Sequence, residues 1–438
     1  FLSFLHITRL TNVKTSAILE LYSSVADILE GKMQMYIKRH IENVLKKAET
    51  QTKVILLTGP RQVGKSTAIR KIFPRYTYIT LDNEDDLNLA LNDRALFFKD
   101  RRFPIIIDEV QYANELLRSI KKVVDERDEK GIIFLTGSQT YELLALSSET
   151  LSGRITTLEL SGLSAREVNK VNFSDPFIPS DEYVQIRADR ITPYKNLWKN
   201  IHRGSMPELL DANRDREWFY RDYVRTYIER DIRRIVNVKD EMKFRNFLIS
   251  LAARSSNLLV YEDIASDVGV DIKTAQHWTS VVAASGIIKI IHPYYNNAIK
   301  RAIKTPKIYF MDTGLLCYFV GWKTPESAEN GAMSGAIFET YVVSEIIKSF
   351  INAGRDIENL YFYRDRDGRE IDLLIDEDNT LYPVEIKKGA TIDPKWAKGF
   401  SALHKITDHT LYRPCIICRC DEVRNVKEDV IAVPVEWI

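Results

Sequence analysis

The run "KVILLTGPRQVGKST", residues 53–67, constrains the fold of this chain more than any other feature. An apolar strand, Val54 to Leu57, enters Gly59-Pro-Arg-Gln-Val-Gly64-Lys65-Ser66, and a helical pattern from Ala68 to Phe73 follows. This is the GxxxxGK[ST] spacing with the strand and helix it requires on either side. Glycines let backbone N–H groups face phosphate oxygens, and the helix that follows adds its positive N-terminal end. The set Gly59, Pro60, Arg61, Gln62, Val63, Gly64, Lys65, Ser66 and Thr67 is therefore expected to cradle ATP. Lys65 would reach the outer phosphates, and the Ser66 hydroxyl would ligate Mg²⁺.

A second buried strand, "RFPIIIDEV" (102–110), ends in Asp108-Glu109. An Asp at that strand end holds the Mg²⁺ shell, and the adjacent Glu polarises the attacking water. A plain helix N-cap pair is the structural alternative, because a helical pattern continues through residue 126. A third strand, "GIIFLTGSQ" (131–139), ends in Thr136, Ser138 and Gln139, with Ser138 or Gln139 preferred as a sensor of the terminal phosphate. With "YTYITLDN" (76–83) the order reads β-α-β-β-α-β, a parallel α/β sheet with ligands at its strand C-termini. Arg154 follows closely enough to serve as an arginine finger, in its own subunit or a neighbour's in a homo-oligomer, or to form a surface salt bridge.

At 438 residues the chain exceeds one ordinary core. A formal net charge of +1 gives no global pull toward nucleic acid, so any polyanion site must come from local clustering. No apolar run approaches the roughly 18 residues of a membrane span, so the chain reads as soluble and cytoplasmic, with no membrane partner. Cys415, Cys418 and Cys420 form "CIICRC" and Cys317 stands alone; without a second pair of ligands these read as small strand residues in a reducing compartment rather than a zinc site. Residues 1–34 read as an extension of little function before a start at Met33 or Met35.

In the middle, "EWFYRDYVRTYIERDIRRIV" places Trp218, Tyr220, Tyr223, Tyr227 and Ile228 on one apolar stripe, with Arg203 and Arg230 as candidate lid residues. Residues 244–295 follow a helix-turn-helix rhythm ending in a strand, and Lys273, Thr274, Gln276 and His277 would begin a recognition helix. The stretch 286–307 carries Lys289, Lys300, Arg301, Lys304 and Lys307 with Tyr294 and Tyr295 and no acid, which suits a DNA backbone. Glu262, Asp263, Asp267 and Asp271 nearby leave a plain interdomain module as the alternative.

Near the end, "NLYFYRDRDG" and "REIDLLID" read as a hairpin, and "TLYPVEIKKG" returns after a short turn at 377–380. Alternation puts Ile371, Leu373, Ile375, Val384 and Ile386 on one face and Asp372, Glu385 and Lys387 on the other. Asp372 then lies across from Glu385, and two such carboxylates repel unless a cation sits between them. The amphipathic "GAIFETYVVSEIIKSF" could aim Glu339 at the same place. The set Glu339, Asp372, Glu385-x-Lys387 resembles the PD-(D/E)XK nuclease motif, which implies carboxylates holding Mg²⁺ and a lysine orienting water. A solvated strand face is the alternative.

"GPRQVGKST", "IIIDEVQYANELLRSIKKVVDE", "FLTGSQ", "LSGRI", "RGSMPELL", "YIERDI" and "KTPKIYFMDTGLL" together resemble the prokaryotic AAA+-type ATP-binding proteins with a C-terminal domain of unknown function. The resemblance implies a P-loop AAA+ core (35–168), a helical lid (169–240), a winged helix (241–310) and a restriction-endonuclease-like domain (311–438). The expectation is an ATPase coupling Mg-ATP hydrolysis to DNA binding, with metal-dependent nuclease activity in the last domain. An ATP-dependent switch with a catalytically silent nuclease-like module is the alternative.

Overall fold

Parallel strands cannot be joined by a tight turn, and this shapes the N-terminal half. Five parallel strands, β1 (Val54–Thr58), β2 (Thr77–Thr80), β3 (Ile105–Asp108), β4 (Ile133–Thr136) and β5 (Ile155–Glu159), lie in the order β2-β3-β4-β1-β5. The expected direct step from β2 to β3 is not found. Two helices, Glu84–Asn92 and Arg94–Lys99, supply that crossover, and the Asn83 side chain caps the first. β1, β3 and β4 are buried along their whole length, which explains their unbroken apolar sequences. The computed structural model describes residues 36–99, 101–138, 141–188, 194, 196–232, 240–294, 304–365, 367–405 and 409–438. The extension 1–34 lies outside them, and among the described residues no helix is long and apolar enough to cross a membrane.

Helices Glu241–Ala253, Tyr261–Val268 and Ile272–Ala284 pack around Trp278, whose ring meets Phe244 and Phe247 edge-on at 5.4 and 5.3 Å. Gly269 ends the second helix in the left-handed region, as the turn requires. Strands β6 (Ile288–Pro293) and β7 (Lys307–Phe310) then pair antiparallel. Upstream, Tyr220, Tyr223, Tyr227 and Ile228 are buried as expected, but Trp218 is 60% exposed and Phe219 takes a core place instead. Trp218 lies in the first turn of helix Arg216–Tyr223 and stacks under the Arg221 guanidinium on the outer side.

The C-terminal strands are β8 (Leu360–Arg364), β9 (Glu370–Glu377), β10 (Thr380–Ile386), β11 (Thr410–Leu411), β12 (Cys415–Cys418), β13 (Arg424–Lys427) and β14 (Val430–Pro434). They do not form a separate sheet. β6 pairs with β8, so the sheet runs β13-β14-β12-β10-β9-β8-β6-β7, and the boundary expected at residue 310 crosses continuous hydrogen bonding. Nor is one face solvated. Leu373, Ile375, Val384 and Ile386 share a core with Ile337 and Phe338 of helix Ser334–Asn352, while Ile371, Leu374 and Leu381 pack with Ala397, Phe400 and Leu403. Ile371 leaves its expected face where the β8–β9 register shifts between Tyr361 and Tyr363.

Candidate functional site

β1 delivers the chain to a loop shaped by two glycines. Gly64 caps helix Lys65–Ile72 at φ 93°, and a Cβ on Gly59 would run into the Leu160 carbonyl. The Lys65 ammonium donates to the Gly59 and Pro60 carbonyls at 3.0 and 2.8 Å, so the loop closes around it. Burial pulls the Lys65 pKa down to about 8, against the attraction of Glu109 and Asp108. An anion placed in the loop therefore meets a poorly solvated cation. Arg61 donates to the Tyr112 hydroxyl at 3.2 Å, and Arg39 holds the Val63 carbonyl from behind at 2.9 Å.

Parallel register sets the second half of the site. Thr80 of β2 pairs with Asp108, and the β3–β4 register carried one step on places Thr136 on its other side. The Asp108 carboxylate accepts from Ser66 Oγ at 3.0 Å, from Thr136 Oγ1, and from the Tyr78 hydroxyl at 2.5 Å. Burial and the bond to Asp108 hold the Tyr78 hydroxyl well above its usual pKa. Mg²⁺ binds oxygens at about 2.0–2.1 Å with octahedral geometry, so neighbouring ligands stand about 2.9 Å apart. The Ser66–Asp108 spacing matches that, and the pair fits the ion. Glu109 sits beyond the strand in the left-handed region and accepts from the Gln111 amide.

Thr136 is one of the polar residues expected at the end of β4, behind Ser138 and Gln139, whereas Tyr78 was not singled out in the sequence. Each sits on a strand beside β3, and the sheet order is what brings them to Asp108. Ser138 is buried just past β4, and Gln139 lies outside the described residues. Arg154 precedes β5, so it stands at the sheet edge opposite the phosphate loop and forms the salt bridge that was the alternative to a finger, with Asp125 at 2.5 Å. That excludes a contact with phosphate in its own subunit. Arg203 lines a small cavity with Asn200, Tyr341, Glu345 and Lys348, and the Arg230 side chain lies outside the described part.

The end of β5 joins this site to the rest of the chain. Glu159 pairs with Lys289 of β6 at 2.7 Å, one residue before Leu160 packs on Gly59. Lys289 is thus not available to DNA in this arrangement, and Lys307 is buried. Lys300, Arg301 and Tyr295 lie outside the described residues; Tyr294 is buried and Lys304 exposed. Lys273, Gln276 and His277 are exposed on helix Ile272–Ala284, whereas the Thr274 hydroxyl is committed to the Asp271 cap at 2.7 Å.

The C-terminal carboxylates do gather. Asp378 and Asn379 both adopt positive φ in a two-residue turn, and the β9–β10 register, carried one step beyond Leu373–Val384, sets Asp372 opposite Glu385. Both are buried. Asp372 accepts from the Ile386 N–H at 2.7 Å, and Lys387 reaches Asp372 at 3.4 Å and Glu385 at 2.5 Å. Burial and the charge of Asp372 push Glu385 up to about 8; burial, with the same neighbour, pushes Glu339 up to about 7. Glu339 is held by the Lys307 ammonium at 3.0 Å and the Tyr309 hydroxyl at 2.8 Å. Among the described residues no group of three or more His, Cys, Asp or Glu side chains could hold a metal ion. Glu339, Asp372 and Glu385 therefore do not fit the expected Mg²⁺ set as they stand.

Residues 51–169 match an AAA domain. That stretch is similar to the AAA domains, and it contains the phosphate-loop geometry described above. Residues 194–326 and 334–438 match two domains of unknown function, DUF8612 and DUF4143, which assign no activity. Uncharacterised proteins of Mycobacterium tuberculosis and Mycobacterium bovis are each 27% identical over 397 residues, 90% of this chain and 82% of theirs. A Walker-type ATPase of Pyrococcus abyssi overlays with a TM-score of 0.34 at 14% identity, covering 65% of this chain and 96% of that one. AMPPCP-bound DnaA of Aquifex aeolicus gives 0.24 at 14% identity, covering 56% and 85%. Scores this low carry no weight, and the assignment rests on the AAA match and the loop geometry.

Proposed function

We propose that the AAA-like region hydrolyses Mg-ATP and that the cycle governs DNA engagement by the winged-helix-like element at 241–310. The observation that carries the first part is the 3.0 Å Ser66–Asp108 contact beside the buried Lys65. In this reading Lys65 binds the outer phosphates, Ser66 and Asp108 hold the ion, and Glu109 draws a proton from the attacking water. The ion neutralises phosphate charge when bound. Thr136 and Tyr78 fix the Asp108 carboxylate so that it need not reorient.

The DNA part is supported by the exposed Lys273, Gln276 and His277 on one helix whose Ala275, Trp278 and Val282 are buried. Two of the four nearby acids are already committed, Asp267 to Arg254 at 2.7 Å and Asp271 to its cap. The free, buried cysteines suit a reducing cytoplasm. ATP turnover by wild type, Lys65→Ala and Glu109→Gln tests the first part; turnover by Lys65→Ala at the wild-type rate overturns it. DNA retention that falls steeply with salt and weakens in Lys273→Glu tests the second; retention unchanged by the variant overturns it.

Metal-dependent cleavage at Glu339, Asp372, Glu385 and Lys387 stands second. The gathering of the carboxylates around Lys387 favours it, and their donor geometry does not, so no cleavage step is derived. Nicking of plasmid with Mg²⁺ or Mn²⁺ that is lost in Asp372→Ala would establish it.

A further inference from the structure

Lys307 belongs to the middle family match, yet its ammonium lies among the carboxylates of the C-terminal one. It is 2% exposed and pairs with Glu339 at 3.0 Å and Glu370 at 2.5 Å. Its backbone is fixed on both sides: β7 pairs Lys307 with Ile291 of β6, and Leu258 forms a bridge to it from the helical module. The side chain runs past Phe362, with the ammonium 5.5 Å from the ring centre. This is a built position, and the lysine is not a surface group that has folded inward.

We propose that Lys307 takes the place a divalent cation would hold in this cluster, so that most of the carboxylate charge is offset internally and the cluster holds no metal ion. Four carboxylates, Glu339, Glu370, Asp372 and Glu385, face three cations, Lys307, Lys387 and Arg364. Lys387 spans Asp372 and Glu385, Lys307 spans Glu339 and Glu370, and Arg364 reaches Glu370 at 3.4 Å. A divalent ion on Glu339 would have to share its oxygens with a buried ammonium, and the two like charges would repel. Removing one partner of a buried pair is costly, so Lys307 does not yield its place cheaply. The cluster then works as an ionic tie between the β6–β7 hairpin and the C-terminal strands. The ATPase assignment does not enter this argument.

Mn²⁺ binding to the nucleotide-free full chain, read by electron paramagnetic resonance, tests the proposal. Asp108→Asn is used as background to remove the phosphate-loop site. Wild type at position 307 is expected to show no Asp372-dependent Mn²⁺ site up to about 1 mM, the weak end of protein divalent-ion sites. Lys307→Met should melt at a lower temperature and regain part of the loss on adding Mn²⁺, whereas Lys307→Arg should melt near wild type without the ion. Mn²⁺ binding at position-307 wild type that Asp372→Asn abolishes overturns the proposal, as does an equal Mn²⁺ stabilisation of both proteins. A Lys307→Met protein that folds but gains nothing from Mn²⁺ overturns the claim of a shared place. Should that variant not fold, the wild-type binding measurement decides alone.

Discussion

The Glu159–Lys289 pair joins the AAA sheet to the β6–β7 hairpin, and its strength can be measured. The charges stand 2.7 Å apart with side chains 20% and 14% exposed. At an effective dielectric constant of about 20 their gross attraction is about 6 kcal/mol. Desolvating two ions returns most of that, and a hydrogen bond between charged groups leaves about 1.5–3 kcal/mol. A cycle of Glu159→Ala, Lys289→Ala and the double variant, followed by urea unfolding with coincident probes, should give a coupling of about 2 kcal/mol. The exchange Glu159→Lys with Lys289→Glu should recover part of it. Any DNA effect on ATP turnover should fall in each single variant and return in the exchange. A coupling below about 0.5 kcal/mol, the usual error of additivity, would refute the reasoning.

Tyr78→Phe removes one of the three donors to Asp108, so the Mg²⁺ concentration for half-maximal nucleotide binding should rise about tenfold, the worth of one charge-assisted bond. Metal-free ATP affinity should stay unchanged, and equal losses in both would refute a positioning role. The Lys65 pKa of about 8 in the free site must rise when phosphates bind, so binding takes up a proton in the window above pH 8. ATP affinity should then fall by up to about tenfold per pH unit as pH rises through that window; titration calorimetry between pH 7 and 9.5 checks this, and a flat profile refutes it. Arg154→Ala should leave ATP turnover within about twofold, because its guanidinium serves Asp125 at the far sheet edge; a loss of about 10³ would restore the finger, supplied to a neighbouring subunit.

The phosphate loop was legible because its glycines, lysine and flanking apolar strand are dictated by local backbone geometry. Asp372 facing Glu385 was legible for the same reason: a four-residue loop at 377–380 with a period of two gives the same register as the two-residue turn that is found. Tyr78 escaped because its role depends on β2 flanking β3, which no local pattern encodes. Thr136 was legible as a polar strand end, but the contact with Asp108 that sets it ahead of Ser138 and Gln139 depends on the sheet order. Arg154 misled through sequence proximity. It follows β4 after one helix and directly precedes β5, and a parallel strand must start at the edge opposite the strand C-termini, so Arg154 lies far from the phosphate loop. Lys307 was read as a DNA-facing cation from a charge run, and only the pairing of β6 with β8 turns it inward.

The residues after β5 are where the parts of the chain meet, and several independent contacts hold them. Arg39 binds the Val63, Ser161 and Gly162 carbonyls and pairs with Glu167 at 3.1 Å. Gly162 packs on Ser205, whose N–H and hydroxyl both bind Asp312, the cap of helix Thr313–Phe319. Ala165 donates to Glu345 on helix Ser334–Asn352, the helix that also carries Glu339. A side chain at Gly59 would strike Leu160 of this segment, and one at Gly162 would strike Ser205, so the segment is closely packed against both the phosphate loop and the Ser205 turn. Close-packed contacts of this kind absorb small displacements poorly. The segment thus gives the phosphate loop a mechanical connection to the hairpin that carries Lys289 and Lys307. From it, Glu159 reaches Lys289 at one strand of the hairpin, and Ala165 reaches the helix whose Glu339 holds Lys307 at the other.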